Sequence, residues 1–365
     1  MNIPYLSLKR ITQMHVDEIQ QAVTVIINKG WYLQGDAVSE FETSFAAYTN
    51  AKYCISTGNG LDALTLMIKA YKEMGRIREG DEIIVPANTF IATILAITEN
   101  NLTPVLAEPR IDNFQIDDRL IEQLVSPKTK AIMIVHLYGY DAYTEKIGEI
   151  CKKHNLLLLQ DCAQAHGLPL KSKQQGIEGC EAYSFYPGKN LGALADAGAV
   201  TTDDEELAEV VRALGNYGSH KKYVFSYKGR NSRMDEITAA ILSVKLRYLD
   251  SDNRRRQEIA DYYINNISQK HVSLPPRDGV HHIFPILSAK RDHLQSYLKG
   301  KGIQTVIHYP IPPHKQECYK EWHSLSLPIT EKIHCEELSL PLNQAMSDEE
   351  TAYIVDAINN YHISC

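Results

Sequence analysis

The sequence predicts an α/β fold, in which a large domain with a mostly parallel central sheet is followed by a smaller α+β domain. Three observations support this prediction: short apolar runs, helical patterns between them, and a change of pattern near residue 250. A short run that is apolar at consecutive positions suits a strand with both faces buried, as in a parallel sheet covered by helices. A chain of 365 residues is also long enough for one large and one smaller domain.

The predicted elements follow one another in a regular order. Apolar residues at helical spacing over residues 13–29 predict a first helix, and strands alternate with helices from about residue 51 onward. The seven predicted strands are residues 53–56, 82–85, 103–106, 131–135, 156–159, 182–185 and 198–201. The segments that directly follow strand ends are 58–60, 86–90, 136–138, 161–164 and 184–189. Because ligands of such sheets bind beyond the carboxyl ends of the strands, one crevice can hold all of these segments.

The second half of the chain carries signals for helix starts and for a domain boundary. Thr202 and Ser347 are each followed three residues later by a glutamate, which is the spacing of a capping box. Residues 252–257 are predicted to open a charged helix, and the arginines in this segment are interpreted as a solvated face. The boundary is placed there, so that residues 1–250 form the large domain with its N-terminal helix and residues 251–365 form the small domain.

Composition excludes several classes of protein. With 44% hydrophobic and 23% charged residues the chain is ordinary for a globular protein, and a net charge of -7 offers no basic surface for nucleic acid. We expect no signal peptide and no membrane span, because no apolar run is long enough. The seven cysteines have neither metal-ligand nor CxxC spacing, so we expect reduced thiols in a cytoplasmic protein without a metal site. They are residues 54, 151, 162, 180, 318, 335 and 365.

Lys189 and Asp161 are the residues that point most clearly to chemistry. A lone lysine is normally solvated, but Lys189 follows a glycine and stands 28 residues after an aspartate that ends an apolar run. A pyridoxal phosphate enzyme needs two such groups: an amine that forms a Schiff base with the aldehyde and a carboxylate that keeps the pyridine nitrogen protonated. A strand-end aspartate is more commonly a helix cap, but the lysine and the nearby Gln164 favour the catalytic role.

The segment from Gly58 to Ala63 also satisfies the G-x-G-x-x-A pattern of dinucleotide-binding proteins. That pattern requires an acidic residue at the carboxyl end of the next strand. Asp81 and Glu82 have the right distance but precede the strand, so NAD binding is rejected. What remains is a glycine turn that opens a helix, whose free amides and dipole bind a phosphate. A plain tight turn is the alternative.

Several short motifs in sequence order resemble those of one family. They are Gly58 to Leu64, Pro86 to Phe90, Gln160 to Gly167, Ser184 to Lys189, Gly229 to Glu236 and His308 to Pro310. Together they are similar to the sugar-nucleotide aminotransferases of the DegT/StrS family, which are fold type I pyridoxal phosphate enzymes. Each motif is weak by itself, but their common order along nearly the whole chain is specific.

The resemblance implies a set of cofactor contacts. The backbone at Gly60 and Leu61, together with Ser184, would hold the cofactor phosphate, and Gln164 would bond to the ring 3-hydroxyl. Phe90 would stack on one ring face, with core packing as the alternative, and Ala163 would leave room on the other. Asp161 would bind the pyridine nitrogen and Lys189 would carry the cofactor. Asn231 would reach the cofactor phosphate of a neighbouring subunit, which implies a homodimer with shared sites.

The segment from Gly215 to Tyr223 resembles the N-Y-G-S-x-x-K-Y segment of aminotransferases that make 3-amino-3,6-dideoxy sugars. The implied reaction moves an amino group from glutamate to C3 of a dTDP-linked 3-keto-6-deoxyhexose, with the galacto product favoured over the gluco product. The candidate sugar contacts are Tyr183, Lys221, Tyr223, His308 and Tyr309, because lysine offers charge to a diphosphate and tyrosine offers stacking and a hydroxyl. A solvated lysine loop is the alternative.

Three other functions are compatible with parts of the pattern. A 4-aminotransferase acting on a 4-keto nucleotide sugar would share the cofactor residues. A dehydratase of the same family would have histidine at the lysine position, so Lys189 argues against it. A non-catalytic regulator that binds the cofactor could have lost any site residue, yet Lys189, Asp161, Gln164 and Ser184 are all present.

Overall fold

The computed structural model describes residues 1–362, without the side chains of Gln174 and Gln175, so Cys365 lies outside the described residues. The helices are α1 Leu8–Gln13, α2 Val16–Lys29, α3 Asp36–Tyr48, α4 Gly60–Glu73, α5 Ile91–Thr98, α6 Asp118–Leu124, α7 Glu145–His154, α8 Glu205–Gly215, α9 Glu236–Leu246, α10 Leu249–Asn266, α11 Arg291–Gly300, α12 Pro328–Glu336 and α13 Asp348–Asn359. Short 3-10 helices cover Leu137–Gly139, Lys171–Gln175, Pro313–Lys315 and Glu317–Trp322. The strands are β1 Tyr53–Thr57, β2 Glu82–Pro86, β3 Thr103–Ala107, β4 Thr129–Val135, β5 Leu157–Asp161, β6 Gly179–Ser184, β7 Gly198–Thr202, β8 Phe284–Leu287 and β9 Glu337–Leu340.

The large sheet contains the strands that the sequence predicted. Its order is β1-β7-β6-β5-β4-β2-β3. Strand β7 is antiparallel to both of its neighbours, and the other pairings within the sheet are parallel. Strands β1 and β6 therefore run in the same direction on either side of β7. The prediction of a mostly parallel sheet is confirmed.

Helices cover both faces of this sheet, as the continuous apolar runs indicated. On β5, Leu157 and Leu159 pack with helices α4, α5 and α8 on one face. Their neighbour Leu158 packs with α6 and α7 on the other face. A further cluster on that second side joins α3 and α9 to strands β6 and β7. Burial on both faces explains why the strand sequences show no polar alternation.

A separate core lies in the C-terminal part of the chain. The antiparallel pair β8 and β9 packs there with residues of α10, α11 and α13. Ile3 joins this core with 1% of its surface exposed and pairs with Ile303 in an isolated bridge. The N-terminal segment is thus attached to the C-terminal core before the chain enters α1.

Two helix starts differ from the prediction. The pattern over residues 13–29 is divided, because α1 ends at Gln13 and α2 begins at Val16. His15 has a non-helical conformation at this break, and its ring stacks on Tyr248 at 3.7 Å between centroids. The predicted cap Thr202 is still in β7, and Asp204 caps α8 by accepting a hydrogen bond from the Leu207 amide. The capping box from Ser347 to Glu350 is confirmed at α13.

The arginine run is only partly a solvated face. Helix α10 begins at Leu249, so residues 252–257 lie inside it rather than at its start. Arg256 is 1% exposed, and its guanidinium donates to the carbonyls of His281, His282 and Leu342 at 3.2–3.4 Å. Arg254 is exposed, as expected. A buried guanidinium that pairs with carbonyls indicates a structural joint between α10 and the C-terminal core.

Among the residues that the structure describes, no helix has the length and apolar character needed to cross a membrane.

Candidate active site

The candidate site lies at the carboxyl ends of the parallel strands. Because β2, β4, β5 and β6 run in one direction, their ends bring Phe90, Tyr138, Asp161 and Ser184 to the same edge of the sheet. Strand β1 ends at this edge too and leads directly into α4. The segments that the sequence analysis assigned to one crevice therefore lie at one edge of the sheet.

The turn between β1 and α4 is shaped for an anion. Asn59 caps α4 by accepting a hydrogen bond from the Asp62 amide at 2.8 Å, while the first-turn amides of Gly60 and Leu61 have no intrahelical partner. A Cβ at position 60 would lie 2.5 Å from the Ser184 Cβ. The glycine thus lets the end of β6 approach the helix start, where amides and dipole favour negative charge.

Gly198 and Ser232 hold the same turn from two other sides. Gly198 pairs with Thr57 on one strand and with Ser184 on the other, and a Cβ there would lie 2.4 Å from the Asn59 carbonyl oxygen. The Ser232 hydroxyl accepts a hydrogen bond from the Gly58 amide at 2.9 Å. These contacts explain why small residues surround this turn.

Asp161 is buried at the end of β5, with 5% of its surface exposed. One carboxylate oxygen accepts from the Thr93 hydroxyl at 2.8 Å and the other from the Ala163 amide at 3.1 Å. Burial raises the pKa of Asp161, whereas these two donors and the nearby Lys189 amine oppose the rise by favouring the charged form. The carboxylate is therefore fixed in direction and supported as an anion.

Lys189 is partly buried in the turn that follows β6, and its amide donates to the Tyr186 carbonyl at 2.8 Å. Burial lowers the pKa of Lys189 to about 8, and Asp161 opposes this change. With this lowered pKa, a small fraction of the Lys189 side chains carries a free amine at neutral pH. An ordinary lysine, whose pKa is about 10.4, has almost none. An amine of this kind can act as a nucleophile and exchange protons.

Gln164, Tyr309 and Phe90 form one wall of the crevice. The Gln164 amide nitrogen donates to the Tyr309 hydroxyl at 3.1 Å, and its carbonyl oxygen accepts from the Tyr138 amide. The Tyr309 ring lies 4.9 Å from the Phe90 ring. Phe90 is 48% exposed, which is unusual for a phenylalanine that only packs a core. Its ring is therefore available for stacking.

The segment His308–Tyr309 is held by polar groups of β9. The His308 amide donates to the Glu337 carboxylate at 2.6 Å, and the His308 ring pairs with the Ser339 hydroxyl at 2.8 Å. Glu337 is fully buried, and this burial raises its pKa to about 8. Burial lowers the pKa of His308 to about 4, so the ring is neutral near Lys189.

His166 is fully buried close to Lys189. Both of its ring nitrogens lack a partner of ordinary geometry within the described part of the chain. Burial, followed by the Lys189 charge, lowers the pKa of His166 to about 3. The ring is thus neutral and packs beside Tyr183 and Phe185.

The placement of Tyr183 corrects one expectation. The side chain is 3% exposed and packs edge-on against Phe45 at 5.0 Å. Because consecutive residues of a strand point to opposite faces, Ser184 can face the phosphate turn only if Tyr183 faces away from it. Tyr183 therefore belongs to the core under α3 and has no open surface for a sugar.

Asn231, Lys221 and Tyr223 lie on exposed parts of the chain. Asn231 pairs with Asn216 in an isolated bridge, one residue from the Ser232 that contacts the phosphate turn. Lys221 is exposed, and Tyr223 is 80% exposed. No described contact joins these three side chains to the Lys189 crevice of the same chain. Their sequence-based roles at a substrate or partner site stay predictions.

Some residues of the site were not identified from the sequence. Thr93, which donates to Asp161, lies in the first turn of α5, three residues after Phe90. This spacing of three residues places Thr93 and Phe90 on the same side of the helix start, so the sequence could have indicated Thr93. No local sequence pattern indicated Glu337 or Asn190, because their partners come from distant parts of the chain.

These residues fit pyridoxal phosphate. The turn around Gly60 would take the phosphate, Phe90 offers an open ring for stacking, and the buried Asp161 carboxylate suits a protonated ring nitrogen. Lys189, with its lowered pKa, suits an aldehyde. These residues include a nucleophile for the aldehyde, a site for the phosphate anion and a carboxylate for the ring nitrogen, which are the groups that the cofactor requires.

Relatives match this chain along nearly its full length. The profile of the DegT/DnrJ/EryC1/StrS aminotransferase family matches residues 13–359. The dTDP-3-amino-3,6-dideoxy-alpha-D-galactopyranose transaminase of Aneurinibacillus thermoaerophilus is 52% identical over 364 residues, which cover 98% of this chain and 99% of the relative.

Solved structures share the fold along most of the chain. A crystal structure of S. venezuelae DesV in complex with a ketimine intermediate has a TM-score of 0.92 at 38% identity and covers 98% of both chains. A crystal structure of ntda from Bacillus subtilis with bound cofactor PMP has a TM-score of 0.91 at 30% identity and covers 98% of this chain and 84% of that chain. The fold class expected from the sequence is confirmed.

Proposed function

The chain belongs to the DegT/DnrJ/EryC1/StrS aminotransferase family, and from this premise we propose that it aminates C3 of a dTDP-linked 3-keto-6-deoxyhexose with glutamate as donor. The product is the dTDP-3-amino-3,6-dideoxyhexose of galacto configuration. The enzyme is a nucleotide-sugar transaminase, and its cofactor is pyridoxal 5′-phosphate.

The catalytic part of the proposal is supported by Lys189 and Asp161, which lie close enough for the charge of each to shift the pKa of the other. When bound, the cofactor supplies an aldehyde for the amino group and a ring that accepts electrons from the reacting carbon. Lys189 has a pKa lowered to about 8 and can both take and return a proton near neutral pH. Its amine would move the proton between the donor's α-carbon and the cofactor's C4′ position.

Asp161 would act through charge rather than proton transfer. Its carboxylate, held by Thr93 and the Ala163 amide, would keep the ring nitrogen protonated and stabilise developing negative charge. Gly60, Leu61 and Ser184 would hold the phosphate. Gln164 would meet the 3-hydroxyl, for which its bond to Tyr309 would have to open or be shared.

The substrate assignment rests on the 52% identical transaminase and on the loop that contains Lys221 and Tyr223. That loop presents ammonium groups and open aromatic rings, which suit a diphosphate and a hexose. His308 and Tyr309 would contact the sugar from the side of the small domain. Tyr183 is excluded from this set by its burial.

A homodimer would place this loop and Asn231 at the partner's site. Several aromatic and aliphatic side chains are unusually exposed for a monomer: Trp31 at 64%, Tyr186 at 56%, Tyr223 at 80%, Val224 at 53% and Phe225 at 60%. Apolar surface of this kind favours a protein interface. We further propose a cytoplasmic location, supported by the free thiols, and a division into domains 1–250 and 251–365.

The test is amination of defined nucleotide sugars. The enzyme with glutamate is incubated with the 3-keto dTDP-6-deoxyhexose in its galacto form, with the gluco form, or with the 4-keto compound, whose C4 has no configuration. The position of the new nitrogen is determined by NMR. Amination of the 3-keto galacto compound supports the proposal, whereas amination of the 4-keto compound alone contradicts it. A glutamate-dependent loss of the cofactor's absorbance near the visible edge separates an aminotransferase from a regulator.

A further inference from the structure

The residue after Lys189 is a buried amide with three side-chain hydrogen bonds. Asn190 is 3% exposed. Its amide nitrogen donates to the Asn253 side chain at 2.8 Å and to the Val280 carbonyl at 2.9 Å, and its oxygen pairs with the His282 ring at 3.0 Å. A buried asparagine with three partners is costly to misplace, because each lost bond leaves a buried polar group unpaired.

The orientation of these groups follows from the carbonyls at the ends of the network. Val280 offers a carbonyl, which only accepts, so the Asn190 atom that faces it must be the nitrogen. The Asn190 oxygen then faces Nδ1 of His282, which must carry a hydrogen. In the same way, Asn253 donates to the His166 carbonyl at 2.8 Å, and its oxygen therefore faces Asn190.

The segment that binds Asn190 also holds the opposite wall of the crevice. The Val280 amide donates to the Gly139 carbonyl at 2.9 Å, and the His282 amide donates to the Tyr138 carbonyl at 2.9 Å. Tyr138 in turn donates its own amide to the Gln164 side chain. Residues 280–282 thus touch the neighbours of Lys189 on one side and of Gln164 on the other.

We propose that residues 280–282 form a brace that sets the distance between Lys189 and Gln164, and that Asn190 and His282 are positioning residues for the reacting amine. The proposal rests on the role of Lys189 in the proposed function. Arg256 fixes the brace to the rest of the small domain through the carbonyls of His281 and His282. A shift of the C-terminal domain would therefore move both walls of the site together.

Positions 139 and 279 show how closely the brace is packed. Gly139 has a φ of +93°, and a Cβ there would lie 2.9 Å from the His282 amide nitrogen and 3.1 Å from the backbone carbonyl oxygen of Gln164. A Cβ at Gly279 would lie 2.7 Å from the Gly139 carbonyl oxygen. Because neither glycine position has room for a side chain, the segment around the brace packs directly against the backbone of residues 138–139.

The test compares four variants of the full chain. Asn190→Ala removes the three side-chain bonds. His282→Leu removes one donor, and His282→Asn restores a donor at the place of Nδ1. Asn100→Ala is the matched control, because Asn100 is also buried and its amide donates to two carbonyls, those of Thr65 and Ala96. The first readout is the pH midpoint of Lys189 labelling by an amine reagent in cofactor-free protein, followed by peptide mass spectrometry.

We expect a midpoint near 8 in the wild type and in Asn100→Ala. In Asn190→Ala and His282→Leu the amine should become better hydrated, and the midpoint should rise by roughly one pH unit towards the value of a free lysine. His282→Asn should return it towards the wild-type midpoint. An unchanged midpoint in both Asn190→Ala and His282→Leu overturns the positioning role, whether or not the protein is a transaminase.

The second readout tests the brace itself. Hydrogen exchange of peptides that contain Tyr138 and Gly139 is followed in the cofactor-loaded protein. Asn190→Ala should speed exchange there by about tenfold or more, although Asn190 does not touch these residues, and Asn100→Ala should not. Faster exchange confined to residues around 190 would contradict a brace that joins the two walls.

Discussion

Gly60 and Ser184 approach each other so closely that position 60 has no room for a side chain. A Cβ there would lie 2.5 Å from the Ser184 Cβ and 2.9 Å from the Ser184 hydroxyl oxygen. The start of α4 and the end of β6 thereby meet, although β7 lies between β1 and β6 in the sheet. A phosphate at this place would meet amides from one element and a hydroxyl from the other.

Gly60→Ala should weaken cofactor binding, because the new methyl group must push Ser184 out of the turn. We expect at least a roughly tenfold loss of affinity, which corresponds to about 1.4 kcal/mol. The measurement is absorbance titration of cofactor-free protein. Gly300→Ala is the control, since nothing lies within 4 Å of a Cβ at that position. Equal affinities for both variants would remove Gly60 from the phosphate site.

Lys189→Ala should abolish turnover while the protein folds and retains the cofactor without a covalent link. The lysine supplies both the nucleophile and the proton carrier, whereas the phosphate and ring contacts come from other residues. Cofactor content after gel filtration, circular dichroism and a coupled glutamate assay measure the three properties. Wild-type activity in this variant would refute the catalytic assignment.

Asp161→Ala should reduce kcat by about a hundredfold or more, or at least ~3 kcal/mol, because the ring nitrogen loses its proton and the electron sink weakens. Thr93→Val keeps the carboxylate but removes one of its donors, so its effect should be smaller. Without that donor the pKa of Asp161 should rise further, and activity should fall at a higher pH on the acidic side. A less than tenfold change in Asp161→Ala would leave the carboxylate with a structural role only, as the acceptor for Thr93 and for the turn after β5.

Mixing Lys189→Ala with Asn231→Ala subunits tests whether Asn231 acts across a dimer. Subunit exchange would give hybrids in which one site carries both substitutions and the other carries neither. Activity should then exceed that of either parent, provided that Asn231→Ala alone is strongly impaired. Absence of recovery, with exchange verified by mass spectrometry, would argue that Asn231 serves its own chain.

Arg256→Met should destabilise the fold by about 2 kcal/mol or more, because the carbonyls of His281, His282 and Leu342 lose their donor. Burial lowers the pKa of Arg256 to about 10, so part of this loss is offset by removal of a desolvated charge. Arg254→Met, on the exposed face of the same helix, should change stability by less than about 0.5 kcal/mol. Urea unfolding measures both, and equal midpoints would mean that Arg256 contributes no net stability.

The strands were predictable because each is a short apolar run buried on both faces. The direction of each strand within the sheet was harder to predict. Gly198 to Thr201 looks like the other runs, yet β7 runs against them, because the direction of a strand depends on the path of the chain before it. The break at His15 was not predicted either, and the ring that His15 stacks on belongs to Tyr248, more than two hundred residues away.

The candidate site could be proposed from the sequence where each residue lies in a local motif of its own, as Lys189 and Asp161 do. The prediction failed where the role of a side chain depends on which face of the sheet it occupies. Tyr183 lies inside β6 and points into the core, which the alternation of side chains with its neighbour Ser184 could have indicated. Asn190 and Glu337 acquire their roles from residues that only the folded chain brings together.

The reversed strand β7 also has a consequence for the order of folding. In the described sheet β1 pairs with β7 alone, and Tyr53 meets Thr202 across the whole intervening α/β layer. As the chain leaves the ribosome from its amino terminus, β1 and the turn that follows it stay without a sheet partner until residue 202 has emerged. Closing so long a loop is slow. The cofactor pocket is therefore among the last parts of the large sheet to form, and loading cannot precede the synthesis of β7.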